Sequence, residues 1–331
     1  MGHADDGARS EDLLAGRYRL IERIGQGGMA VVWRARDERQ RVERAVKILN
    51  VRGTVNRVRA ERLLREAQAM SRLKHRHVVS VYDHAESEAG PFVVMDYIPG
   101  GTLDDRLRSD GPLPARQAVL WIADVLSALD HAHAHGVVHR DVKPSNILVD
   151  ATGAAMLADF GIALLEDDDR HTRAGVSMGS MAFMAPEQRI DARAVGPAAD
   201  IYAAAATLFH VITGSTPVDL FVAEATSPRW LDLPEPLRPA LFAATRHDPA
   251  ARPQTAGELR RDLLALVDQL DDAPAGVARV VDSGTSAEPL RPPVGFLSTM
   301  DPGTREAGRR LPAWALALAL VGGGGLWWWF E

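Results

Sequence analysis

His139-Arg140-Asp141-Val142-Lys143-Pro144-Ser145-Asn146-Ile147-Leu148-Val149 is the stretch on which the fold of this chain turns. Asp141 and Asn146 sit five apart in a short loop flanked by apolar residues, with Lys143 between them. A carboxylate can orient and deprotonate a hydroxyl, and an amide oxygen suits a hard cation. One loop is not a function, so the rest of the chain must supply parts that work with it.

Those parts occur in order. Ile24-Gly25-Gln26-Gly27-Gly28-Met29-Ala30-Val31-Val32 is a glycine-rich segment. Such glycines also open dinucleotide-binding domains, but there a helix follows, whereas Val31-Val32-Trp33-Arg34-Ala35 reads as a strand. Ala45-Val46-Lys47, Arg65-Glu66-Ala67, Asp159-Phe160-Gly161 and Ala185-Pro186-Glu187 complete the series. Together these segments resemble the motif set of protein kinases, and most of all the bacterial Ser/Thr kinases of eukaryotic (Hanks) type. The resemblance runs from about Tyr18 to about Leu270.

It implies an α+β, two-lobed kinase fold, with a small lobe of five strands and one helix and a larger, mainly helical lobe. Asp141 is then the catalytic base, Lys143 steadies the transferring phosphoryl group, and Lys47 binds phosphate and pairs with Glu66. Asn146 and Asp159 become the ligands of Mg2+, or of Mn2+ in its place. The ATP pocket would be formed by Ile24, Gly25, Gln26, Gly27, Gly28, Val32, Ala45 and Lys47, with Met95 as gatekeeper, the backbone of Asp96 and Ile98 along the adenine edge and Leu148 beneath. Ala30 stands where the third glycine of the motif is usual, which implies a stiffer flap. Arg140 implies an activation segment ordered by negative charge. Thr172 and Ser177 are candidate phosphorylation sites, Ser180 belongs to the substrate pocket, and Glu187 is expected to pair with Arg252. Lys143 followed by Pro144 is similar to the Ser/Thr class, so the expected partners are ATP and protein substrates. Two other readings stay open: a pseudokinase that acts as a scaffold, disfavoured by the full set of catalytic residues, and a kinase of small molecules, disfavoured by the complete activation segment.

Composition narrows the classes further. The 331 residues carry a formal charge of −6, which argues against a general nucleic-acid binder, and no cysteine, which excludes disulfides and thiolate metal sites. The first sixteen residues lack the apolar core of a signal peptide. His131, His133, His135 and His139 invite a metal reading, but a spacing of two turns successive side chains to different helix faces, so no site is expected.

Alternation in Tyr18–Ile24, Ala30–Ala35, Arg44–Leu49, Val78–Tyr82 and Phe92–Tyr97 predicts strands. Helical spacing predicts helices over Arg57–Leu73, Gln117–Ala134 with a cap at Gly136, Asp200–Thr213 and Thr255–Leu270. The domain plan is an N-terminal extension (1–16), a kinase domain (17–270, divided at 98/99), a juxtamembrane linker (271–308) and a transmembrane segment (309–331). The linker is rich in Pro, Gly, Ser and Ala, and as a flexible coil it would span roughly 30–35 Å. Residues 311–330, LPAWALALALVGGGGLWWWF, carry no charge, and twenty helical residues cover ~30 Å, a bilayer's hydrocarbon core. Arg309 and Arg310 ahead of them place the kinase on the cytoplasmic side, with a single pass and an outward C-terminus at Glu331. Ala315, Ala319 and Gly323 form a small-residue stripe that suits a homodimer.

Overall fold

The computed structural model describes residues 8–27, 30–49, 67, 70–160, 181–191 and 195–272. The small lobe is a sheet with strand order β1-β2-β3-β4-β6-β5. Its strands are β1 (Leu13–Leu14), β2 (Tyr18–Gln26), β3 (Ala30–Asp37), β4 (Val42–Leu49), β5 (Val81–Ser87) and β6 (Gly90–Asp96), all paired antiparallel. Tyr18, Leu20, Trp33, Ala35, Val46, Ile48, Phe92 and Val94 pack together on one face, as a period of two dictates. Leu14 closes that cluster. The expected five strands are therefore six: residues assigned to the N-terminal extension add β1, because Leu14 has an apolar cluster to join.

Register shifts between Leu20 and Glu22 and between Arg23 and Gly25 interrupt the β2–β3 pairing. Irregularities of this kind bend and twist a strand. Here they fall just ahead of the glycine segment.

The strand expected at Val78–Tyr82 begins instead at Val81. Val78 and Val79 are buried, and they bond to Leu157 of the large lobe rather than to the sheet. Their hydrophobicity reports burial between lobes.

The large lobe contains α1 (Leu103–Asp110), α2 (Ala115–Ala134), α3 (Pro186–Ile190), α4 (Pro197–Thr213), α5 (Arg238–Ala244) and α6 (Ala256–Leu264), with a small hairpin of β7 (Ile147–Val149) and β8 (Ala155–Leu157). Thr102 caps α1 in a reciprocal box with Asp105. Helix α4 is buried nearly all round, from Ala199 to Ile212, as its largely apolar composition requires. Ala205 is fully buried there. Gly214 ends α4 in the left-handed conformation at φ 70°, and Gly136 follows α2 at φ 74°, one residue past its cap at His135. The last helix stops at Leu264 and gives way to a turn of 3₁₀ helix at Val267–Gln269, shorter than the periodicity predicts.

Among the described residues no helix is long and apolar enough to cross a membrane. The expected transmembrane segment 309–331 lies outside the described residues, as do residues 273–308 of the linker and all but Ala67 and Met70–Leu73 of the helix predicted at Arg57–Leu73.

Candidate active site

The catalytic loop hangs from one buried carboxylate. Asp200, in the first turn of α4, accepts the backbone N–H of Arg140 at 2.7 Å through Oδ1. Its Oδ2 accepts the N–H of His139 at 2.7 Å and faces Nε2 of His133 at 2.8 Å. These bonds hold Arg140 at φ 67°, a left-handed conformation that a non-glycine residue enters at a cost of order 1 kcal/mol or more. Gln188 adds a bond from its amide to the Arg140 carbonyl at 2.6 Å. Sequence reading treated Asp200 only as a helix start and did not single out Gln188. The available signals were an acid heading an otherwise apolar helix, and an amide directly after Glu187.

His139 is buried beneath this loop. Its Nδ1 accepts the Asp141 N–H at 3.1 Å, and its Nε2 donates to the Ala158 carbonyl at 2.9 Å, which defines the neutral Nε2–H tautomer. The ring packs on Phe160 with centroids 4.5 Å apart. One imidazole thus ties the loop to the residues flanking Asp159.

Above it the predicted residues converge. Lys143 Nζ lies 2.8 Å from Asp141 Oδ2. The Asn146 amide donates to the Asp141 carbonyl at 2.7 Å and to its Oδ2 at 2.9 Å. With both donors committed to Asp141, the Asn146 Oδ1 is left as the acceptor. Lys47, on β4, reaches Asp159 Oδ2 at 2.8 Å. Asp159 sits at φ 56°, a second strained backbone in the same site. Burial pushes its carboxyl up, but the charge and hydrogen bond of Lys47 outweigh this and, with Lys143, hold it below the usual carboxylate range.

The pocket between the lobes is framed by register. Val32 pairs with Lys47, Ala45 lies opposite Met95, and Leu148 on β7 lies across from Met156. The Asp96 side chain is engaged by Arg44, Tyr82 and the Ser80 N–H, and its own N–H goes to the Ser80 carbonyl; Ile98 follows it half-buried. Ile24 is an exposed apolar side chain, at 44%. Among the described residues, a Cβ built on Gly25 would meet only the Val32 side chain, at 3.6 Å, and one on Gly27 only the Ala30 carbonyl, at 3.9 Å. The protein's own packing therefore does not demand glycine at either place; close approach of a ligand to the backbone would. Two oxygen donors and two lysines beside a glycine-rich segment fit a metal–nucleotide triphosphate, in which Asn146 and Asp159 would hold the hard cation and Lys47 and Lys143 would neutralise phosphate charge.

Glu187 and Arg252 meet through two parallel bonds of 2.6 and 2.8 Å. The remaining guanidinium N–H groups go to the carbonyls of Ala198, Arg246 and His247. Gly28, Glu66, Thr172, Ser177 and Ser180 lie outside the described residues. Of the four histidines considered for a metal, His133 turns to Asp200 and His139 to Ala158, whereas His131 and His135 pack ring on ring at 4.4 Å. Among the described residues no group of three or more His, Cys, Asp or Glu is arranged to hold a metal.

The sequence pattern described as protein kinase domain matches residues 18–238. The chain belongs to the protein kinase family. The chain is 34% identical over 337 aligned positions to the serine/threonine-protein kinase PknB of Mycolicibacterium smegmatis, a match covering 93% of this chain and 53% of that protein. It is 35% identical to the serine/threonine-protein kinase PrkC of Bacillus subtilis over 77% of this chain and 41% of that one. The chain thus spans about half the length of the curated relatives it matches. It is similar in fold to the crystal structure of the Mycobacterium tuberculosis PknI kinase domain, with a TM-score of 0.64 at 27% identity, covering 79% of this chain and 100% of that one.

Proposed function

We propose that this kinase domain is an active serine/threonine protein kinase that moves the γ-phosphoryl group of ATP to Ser and Thr hydroxyls of proteins. The observation that carries the reading is the joined set around Asp141, with Lys143 at 2.8 Å and Asn146 at 2.9 Å from one carboxylate oxygen. Asp141 orients the substrate hydroxyl and accepts its proton as the oxygen takes the phosphoryl group. Lys143 lies close enough to balance charge on that group. Mg2+, held by Asn146 and Asp159, would neutralise phosphate charge, and Lys47 would hold the nucleotide's phosphates. The Ser/Thr class rests on Lys143-Pro144 and on the serine/threonine kinases to which the chain is similar.

Autophosphorylation of Thr172 or Ser177 belongs to the same proposal, supported by Arg140 beside the catalytic acid. Tethering to a membrane with the kinase on the cytoplasmic side is supported by the uncharged run 311–330 behind Arg309 and Arg310.

The test is transfer of label from γ-labelled ATP to the chain and to a basic protein substrate, with Asp141→Asn alongside. Turnover is expected to fall by roughly 10²–10⁴ in the variant, the range for loss of a general base. Near-normal turnover would overturn the assignment. Modified residues are then mapped by mass spectrometry, with Lys47→Met as the blank.

A further inference from the structure

Helix α2 carries His131 and His135 one turn apart near its C-terminal end, with ring centroids 4.4 Å apart. The His75 ring, from the segment that leads into β5, stacks on His131 at 5.1 Å and 24°. His77 follows, 5.5 Å from His75.

Hydrogen bonds assign neutral rings to two of these. The His77 N–H donates to His75 Nδ1 at 3.2 Å, so that nitrogen carries no proton; Nε2 lies 3.4 Å from Ser127 Oγ. His77 donates from Nδ1 to the Ala155 carbonyl at 2.9 Å and accepts the Arg76 Nε–H at 2.7 Å on Nε2. His135 donates from Nδ1 to the His131 carbonyl at 2.8 Å. The acid facing the group is Asp124 of α2, which stands 3.3 Å from His77 and also accepts the Ala155 N–H. A proton added to His75 at Nδ1 would set two donors against each other, beside Arg76 and two more imidazoles.

The same segment holds β8. The Leu157 N–H donates to the His77 carbonyl at 2.8 Å, and the Val79 N–H to the Leu157 carbonyl at 3.0 Å. Two residues on from Leu157 is Asp159.

We propose that the His75 ring, stacked on His131 with His135 behind it, forms a proton-sensitive clasp between residues 71–80 and α2, closed while His75 is neutral and loosened when it is protonated, so that acidification slackens β8 and the carboxylate it delivers. The effect on phosphotransfer rests on the kinase reading above; the clasp itself does not. The sign follows from the surroundings. Burial lowers the His75 pKa, His131, His77 and Arg76 lower it further, and Asp124 opposes them. A base whose folded pKa is depressed contributes its stability in full above its ordinary value near 6.5 and loses it as pH falls through the folded value.

Amide hydrogen exchange on the full chain in detergent, read by mass spectrometry at about pH 8 and about pH 6 and corrected for intrinsic rates, tests this. Peptides covering 71–80 and 155–158 are expected to open more at the lower pH, by up to about fourfold at pH 6 for one imidazole of ordinary value 6.5, while α4 peptides hold. The double variant His75→Gln/His131→Gln is expected to lose most of that response; both side chains are only half-buried, so the fold tolerates both changes. Unchanged protection in the wild-type chain, or the same pH response in the double variant, would overturn the clasp. Exchange needs no catalysis, so a chain that transfers no phosphate still gives the answer. If it does transfer, the acid limb of kcat/KM should lie at lower pH in the double variant.

Discussion

The Arg252 guanidinium clasps both carboxylate oxygens of Glu187, at 2.6 and 2.8 Å, across 65 residues of sequence. Each of its five N–H bonds has an acceptor, three of them backbone carbonyls. Lysine has the charge but neither the fork nor the donors. Arg252→Lys should cost about 3 kcal/mol, because Arg252 is buried and the carbonyls it serves are left without donors. For a domain of this size that lowers the melting temperature by roughly 6–12 °C, readable by calorimetry. A melting point within a degree or two of wild type would show that the pair is not a structural anchor.

Asp200 acts on the reaction without touching it. Asn in its place keeps one acceptor oxygen where two backbone N–H groups and an imidazole now converge. Arg140 should then relax from φ 67°, and Asp141 should move with it. Misplacement of this order costs roughly 10²-fold in rate. Asp200→Asn is expected to lower kcat by about that factor while leaving KM for ATP near its original value, since Lys47 and the glycine flap are untouched. Steady-state kinetics separate the two parameters, and a rise in KM with kcat intact would contradict the argument.

Two glycines should behave in opposite ways. A Cβ at Gly100 would stand 2.0 Å from the Val149 carbonyl oxygen, which belongs to the backbone of β7 and cannot swing aside. Gly100→Ala should destabilise the chain by roughly 1–3 kcal/mol, the usual cost of overpacking. Gly25→Ala meets no such obstacle and should leave urea unfolding unchanged, yet raise KM for ATP by crowding the phosphates. Loss of stability in Gly25→Ala, or none in Gly100→Ala, would refute the distinction.

Asp37 carries the pH dependence of the small lobe. Arg17 bonds both its oxygens, at 3.0 and 2.7 Å, and the N–H groups of Arg39 and Gln40 bond Oδ1. The Arg17 bond, opposed by burial and aided by the backbone donors, brings its pKa from 3.8 down to about 2. A depressed acid contributes stability that is present above pH 3.8 and lost as pH falls through about 2. Allowing for the partly exposed Arg17, this amounts to roughly 1–2 kcal/mol. Asp37→Asn should be less stable than wild type by that amount at neutral pH, and denaturant titrations should show the gap closing below about pH 4.

Much of this site was legible in the chain because its chemistry is local. Asp141, Lys143 and Asn146 fall within six residues of one another, so a single loop sets their spacing, and the glycine flap needs only the strand that follows it. Alternating apolar residues likewise foretold the small-lobe strands, since period two puts Tyr18 and Leu20 on one face whatever lies beyond. Other relationships depended on distance in sequence being undone by folding. Val78 and Val79 read as a strand of the sheet but pair with Leu157, a choice that hydrophobicity cannot express because both positions are equally buried. Leu13–Leu14 became a strand only because Leu14 meets the cluster around Trp33. His131 and His135 share a face by helical geometry alone, but only the return of the chain brings His75 against them. Asp200 shows the limit most plainly. By itself the sequence determined which residues could bear charge, bind phosphate and move a proton; tertiary structure decided that a carboxylate 60 residues downstream would hold the Arg140 backbone in the conformation that presents Asp141, since only packing can bury a charge and supply its donors together.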